Sequence, residues 1–181
     1  MKNLFIVIAA IMVISSCSST KEATSSKTKI RNEKKIAEQE TIRDAVESRR
    51  FLIKFERAYF SHGGIVDLIP KANYIIIDRN KVILSAAYIG RQYDIRPIEG
   101  INMRAETSDY ELTSDSAKGL YEIRMKVTSS GNTFHVYLTV NKDGFCNVSL
   151  TNIRIDYIQY SGHIVPIKVK PALTPQEGQI I

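Results

Sequence analysis

The segment Tyr88-Ile89-Gly90-Arg91-Gln92-Tyr93 concentrates the residue types best suited to holding a ligand. Arg91 offers a planar fork of N–H donors that matches a carboxylate, a phosphate or sugar hydroxyls. Tyr88 and Tyr93 pair a stacking face with a polar tip, and Gly90 lets the backbone turn tightly between them. The competing reading is a structural corner, with Arg91 paired to a nearby acid and both tyrosines closing the edge of a core. It is the simpler reading, because three residue types do not specify a ligand. Tyr88, Arg91 and Tyr93 stand as the candidate ligand-binding residues.

Other reactive combinations fail on spacing. The three histidines are His62, His135 and His163. No two of them stand at chelate spacing and no cysteine pair accompanies them, so neither a metal site nor a cofactor is expected. Ser61-His62-Gly63-Gly64 has the look of an oxyanion-forming loop, yet no Gly-x-Ser-x-Gly turn supplies a nucleophile. Glu106, Asp109 and Glu111 are close in sequence. Glycosidase chemistry needs two carboxylates facing one sugar, and a solvated strand edge explains these three. Glycine-rich phosphate loops are absent. No residue is assigned a catalytic role, and the chain reads as a binding protein rather than an enzyme.

The amino terminus supplies an address. Lys2 is followed by an apolar run from Leu4 to Ile14, shorter than the roughly 20 residues that span a bilayer. Ile14-Ser15-Ser16-Cys17 closes it with small residues before a cysteine. This is similar to a bacterial lipoprotein signal, which implies cleavage after Ser16 and lipid on Cys17. The formal net charge is +6. A basic chain can bind nucleic acid, but an exported one rarely meets it, so no nucleic-acid partner is expected. With Cys17 lipidated, Cys146 has no disulfide partner and reads as a small buried hydrophobe.

The elements that position these residues follow from periodicity. Residues 1–16 form the signal, 17–31 a flexible Ser/Thr/Lys-rich tether with a basic cluster, 32–166 one folded domain, and 167–181 a loose tail. Asn32 to Ser48 reads as a helix capped by Asn32, with Lys34/Glu38 and Arg43/Glu47 at i, i+4 and an apolar stripe of Ile42, Ala45 and Val46. From Phe51 the period becomes two. The clearest hairpin pairs Phe134, Val136, Leu138 and Val140 with Cys146, Val148 and Leu150 across Asn141-Lys142-Asp143-Gly144. Its polar face carries His135 and Tyr137, and a third strand runs from Ile153 to Tyr160. Tyr74–Asp78 and Lys81–Tyr88 form a second hairpin, turned at Arg79-Asn80. Ile101 to Ala105, Tyr110 to Leu112, and Tyr121 to Val127 mark further strands. The expected class is mainly β. An antiparallel meander of about nine strands tends to curl or split, giving a sandwich or a partly closed barrel with one N-terminal helix outside it.

Three segments carry a family resemblance. Ala45-Val46-Glu47-Ser48-Arg49-Arg50-Phe51, Tyr88-Ile89-Gly90-Arg91-Gln92-Tyr93 and Ile158-Gln159-Tyr160-Ser161-Gly162 resemble motifs of a family of Bacteroidetes lipoproteins, the domain of unknown function numbered 4251. The resemblance covers Ile42 to Ile164. It implies an address and an architecture but no reaction. The expectation is a protein anchored by lipid to the outer membrane, on its periplasmic side, with an envelope protein or glycan as partner. The alternative is a small-ligand carrier or hydrolase with its site inside a curled sheet.

Overall fold

The computed structural model describes residues 19–61, 63–88 and 100–167. A helix, α1 (Ser19–Glu47), precedes nine strands: β1 (Arg50–Phe60), β2 (Ile65–Asp67), β3 (Tyr74–Asp78), β4 (Lys81–Ala87), β5 (Gly100–Asp115), β6 (Leu120–Ser129), β7 (Asn132–Asn141), β8 (Phe145–Asn152) and β9 (Ile155–Pro166). The chain divides after Glu38 into two compact units, and the barrel lies wholly in the second.

Every pairing is antiparallel, and β1 and β3 to β9 follow one another around a closed barrel of eight strands. β1 closes it by pairing with β9 over its whole length, while its other edge takes β3 first and then the short β2. The barrel alternative is therefore the one realised. Alternation explains the filling. Phe51, Ile53 and Phe55 point inward on β1, Val136, Leu138 and Val140 on β7, and Cys146, Val148 and Leu150 on β8; all are buried. An eight-stranded barrel leaves an interior just wide enough for such side chains. Phe55 and Tyr160 stack inside it with centroids 4.6 Å apart. In the last turns of α1, Ile42, Ala45 and Val46 join the same buried cluster. Ile42 lies against the turn at Gly144, so the last turns of α1, from Gln39, cover the barrel end that holds the β7–β8 turn.

Several boundaries differ from the reading of the sequence. α1 begins at Ser19 rather than Asn32, so the stretch read as a flexible tether is helical from Ser19 and Asn32 is no cap. No proline or glycine interrupts residues 19–47, and the Lys, Glu and Ala there are good helix formers. The helix ends at Glu47, and Arg49 in the turn that follows adopts φ 56° where glycine is usual. Its guanidinium sits 4.0 Å over the Tyr110 ring. The two strands expected around Ile101 and Tyr110 are one, β5, bent by a bulge between Ser108 and Glu111 with Asp109 at φ 54°. β2, for which the periodicity gave no strand, restores the count to nine. β9 runs on to Pro166, well past Tyr160.

Two glycines are obligatory for different reasons. Gly144 has φ 86° in the β7–β8 turn, and a Cβ there would also lie 3.3 Å from both Ile42 and Ile164. Gly162 has ordinary φ, but β9 crosses β1 so closely that a Cβ would overlap the Lys54 carbonyl. The neighbouring bulge between Phe55 and Arg57 shifts the inward phase of β1 from Phe55 to Ala58.

Gly162→Ala is expected to destabilise the fold by at least about 3 kcal/mol, because backbone rather than a flexible side chain must move. That is a fall of roughly 10 °C in Tm for a domain of this size. A Tm within a few degrees of the parent would refute the close approach. Cys146 is fully buried, its thiol is pushed up to about 12 by desolvation, and its Sγ donates to the Gly144 carbonyl at 3.3 Å. In a Cys17→Ser protein at pH 8, a disulfide reagent such as DTNB is expected to react only after unfolding. Stoichiometric labelling of the native protein would contradict that burial.

Candidate functional site

Tyr88 is the member of the proposed ligand-binding trio that the structure describes. It stands just after β4, is buried, and its hydroxyl accepts the Asp156 amide N–H at 3.1 Å. Beside it, the Tyr160 hydroxyl donates to the Ala87 carbonyl at 2.8 Å. These two tyrosines tie the end of β4 to β9 at the barrel end away from α1. Gly90, Arg91 and Tyr93 lie outside the described residues, as do Cys17 and His62. Among the described residues, no group of three or more His, Cys, Asp or Glu side chains could hold a metal ion. His163 meets Glu56 at 2.9 Å and the edge of Phe145, away from His135. The inward side chains named above are buried in the barrel, and both grooves described below are lined mainly by outward residues of its strands.

The larger groove is built from the outward residues of β5 to β9. It has a volume of about 680 Å³, within the range of about 300–1,000 Å³ common for small-molecule sites. Registry creates it. Arg124 on β6 faces Tyr137 on β7, Tyr137 faces Ser149 on β8, and Ser149 faces Gln159 on β9. One transverse row thus crosses four strands. Lys126, His135 and Thr151 form the row on one side of it, and Thr139 and Asn147 stand on the other.

Hydrogen bonds fix the orientation of this row. The Ser149 and Tyr157 hydroxyls are 2.9 Å apart. Tyr157 donates to Gln159 Oε1 at 3.1 Å, and Gln159 Nε2 donates to Asn147 Oδ1 at 3.2 Å. Arg124 lies 5.6 Å from the Tyr137 ring centroid. Burial and a hydrogen bond to Glu122 raise the Tyr137 hydroxyl above the ordinary tyrosine pKa. On the β5 side the bulge turns Asp109 toward Lys126, whose ammonium it meets at 2.8 Å; this pairing raises the Lys126 pKa. Asp109 and Glu111 are thereby explained as rim charges, not as a catalytic pair. A smaller groove of about 330 Å³ lies on β3 to β5, lined by Tyr74, Ser85, Asn102 and Arg104.

His135 and Tyr137 sit on the polar face, as the alternation implies, with His135 exposed and Tyr137 half-buried. The rest of the groove escaped the sequence reading. Its signal was present, because Asn147, Ser149, Thr151, Tyr157 and Gln159 are the polar partners of the buried alternation. Their assembly into one surface needed the register of four strands, which periodicity does not provide.

A crystal structure of a DUF4251 family protein from Bacteroides eggerthii has the same fold, with a TM-score of 0.60 at 16% sequence identity, covering 72% of this chain and 88% of that one. No curated protein matches. The family model of the domain of unknown function DUF4251 matches residues 33–164, nearly the whole of the barrel with the adjoining helix, and the chain belongs to that family.

Proposed function

We propose that this protein is a lipid-anchored, non-catalytic binding module of the bacterial cell envelope, engaging its partner through the outer groove of β5 to β9. The observation that carries the binding role is the transverse row Arg124, Tyr137, Ser149 and Gln159. Its polar side chains are oriented before any ligand arrives, which reduces the entropy lost on binding. The reading of a carrier or hydrolase with its site inside the barrel is weaker, because Phe51, Phe55, Ile123, Leu138 and Tyr160 take up the interior.

The anchor reading rests on the positive start, the apolar run and Ile14-Ser15-Ser16-Cys17. No helix among the described residues is long and apolar enough to cross a membrane; the means of attachment proposed is a covalent lipid on Cys17. Ser18 to Glu22 lacks a dense acidic run. We place the protein on the periplasmic side of the outer membrane for that reason.

Metabolic labelling with an alkyne fatty acid, followed by fractionation, tests the anchor. The parent is expected to carry the label and sediment with membranes, and Cys17→Ser to lose the label and become soluble. A Cys17→Ser protein that stays membrane-bound would sink the lipid reading. For the surface, a photocrosslinker at Tyr157 is expected to give an adduct in cells, and one at Arg104 on the opposite face is not. Equal yields at both positions would count against the groove.

A further inference from the structure

We infer that the groove takes a neutral, β-1,4-linked pyranose chain lying across β6 to β9. The inference rests on the binding reading above and adds the ligand class.

Charge comes first. The charged side chains lining the groove are Asp109, Glu111, Arg124 and Lys126. Formally they cancel, and three of the four are engaged locally: Lys126 with Asp109 at 2.8 Å, and Arg124 with the Tyr137 ring whose hydroxyl meets Glu122. A charged ligand would have to compete with these contacts, whereas a neutral one leaves them in place.

Chemistry comes second. Across β7 to β9 the groove presents the hydroxyl and amide side chains Tyr137, Thr139, Asn147, Ser149, Thr151, Tyr157 and Gln159, beside His135 and Val136. The bonds through Tyr157 and Gln159 fix both amides: Gln159 Oε1 accepts, Gln159 Nε2 donates, and Asn147 Oδ1 accepts. Asn147 Nδ2 then has no hydrogen-bond partner among the described residues, so it offers two donors to the groove. Such a surface, with fixed amides beside hydroxyls and tyrosine rings, matches a ligand that alternates hydroxyl and C–H faces. It suits a protein partner less well, since hot-spot tyrosines and arginines act from well-packed, desolvated pockets, and Arg124 and Tyr157 are exposed here. The exposed large aliphatics Ile65, Ile69 and Ile153 lie outside the groove.

Spacing comes third. Neighbouring strands are about 4.8 Å apart, so the row from Arg124 to Gln159 spans about 14 Å. One strand spacing is close to the advance of one residue in a β-1,4-linked pyranose chain. A chain of four sugars laid across the strands therefore meets each strand of the row once. An extended peptide advances by about 3.3 Å per residue and gains most by adding to a sheet edge. β6 to β9 have no free edge over this stretch.

The test is isothermal titration of the purified full-length lipoprotein, in detergent, with cellotetraose and with tetra-N-acetylchitotetraose. Tetragalacturonate serves as the charged probe. At least one neutral tetramer is expected to bind, and tetragalacturonate to bind at least about tenfold more weakly. Gln159→Ala and Asn147→Ala, each checked for an unchanged Tm, are expected to weaken the neutral tetramer about tenfold; Arg104→Ala on the other face is not. The proposal is overturned if neither neutral tetramer binds, if the charged one binds more tightly, or if both stable groove variants bind as the parent does. If the sugars fail while the crosslinker at Tyr157 still gives its adduct, the ligand class is wrong and the groove stands. If that adduct is also missing, the binding reading itself falls.

Discussion

At Gly162 the last strand passes the first so closely that only a hydrogen fits against the Lys54 carbonyl. The pairing of β1 with β9 depends on that approach, and the barrel depends on the pairing. Without it β1 and β9 would each present a row of unpaired N–H and C=O groups, and the sheet would stay open. Tyr160, two residues earlier on the same inward face, stacks on Phe55 and bonds the Ala87 carbonyl. Tyr160-Ser161-Gly162 is therefore a closing device: an interior stack, an outward hydroxyl held 3.2 Å from that of Tyr59, and a backbone crossing.

Closure fixes where chemistry can occur. A barrel of eight strands has little room once Phe, Ile, Leu and Met side chains point inward. The thiol of Cys146 is lost to this interior, raised by desolvation and bonded to a carbonyl. Among the described residues the polar half of each alternation faces water on the outer surface. Between β5 and β9 that half is ordered by cross-strand contacts and is bounded on one side by the bulge at Asp109. Bulges commonly re-aim a side chain beside a functional surface. Here the bulge directs a carboxylate onto Lys126, so the rim is electrically satisfied and the floor is left to hydroxyls and amides.

The two barrel ends are finished differently. At one end the last turns of α1 place Ile42, Ala45 and Val46 against the core, and Arg49 reverses the chain in a conformation costly for a residue with a Cβ. Its cation over Tyr110 offsets part of that cost, since such contacts are worth about 0.5–1 kcal/mol at exposed sites. At the other end Tyr88 and Tyr160 hold the end of β4 to β9. Tyr88 sits there as a support. Its hydroxyl accepts the Asp156 amide N–H and its ring is buried.

Local pattern was enough for much of this. The period of two separates Val136, Leu138 and Val140 from His135, Tyr137 and Thr139 because successive strand residues point to opposite faces. Asn141-Lys142-Asp143-Gly144 and Arg79-Asn80 are readable as turns because Asn, Asp and Gly tolerate turn conformations, and Gly144 does adopt a positive φ. Those signals act within a few residues and need no knowledge of the fold. The closure of β1 on β9 joins residues about a hundred positions apart. The continuity of β5 through Asp109 and the row from Arg124 to Gln159 likewise arise from register between strands. Each depends on which strand lies beside which and at what offset. That is settled by packing all the inward faces at once, so no local stretch of the chain carries it.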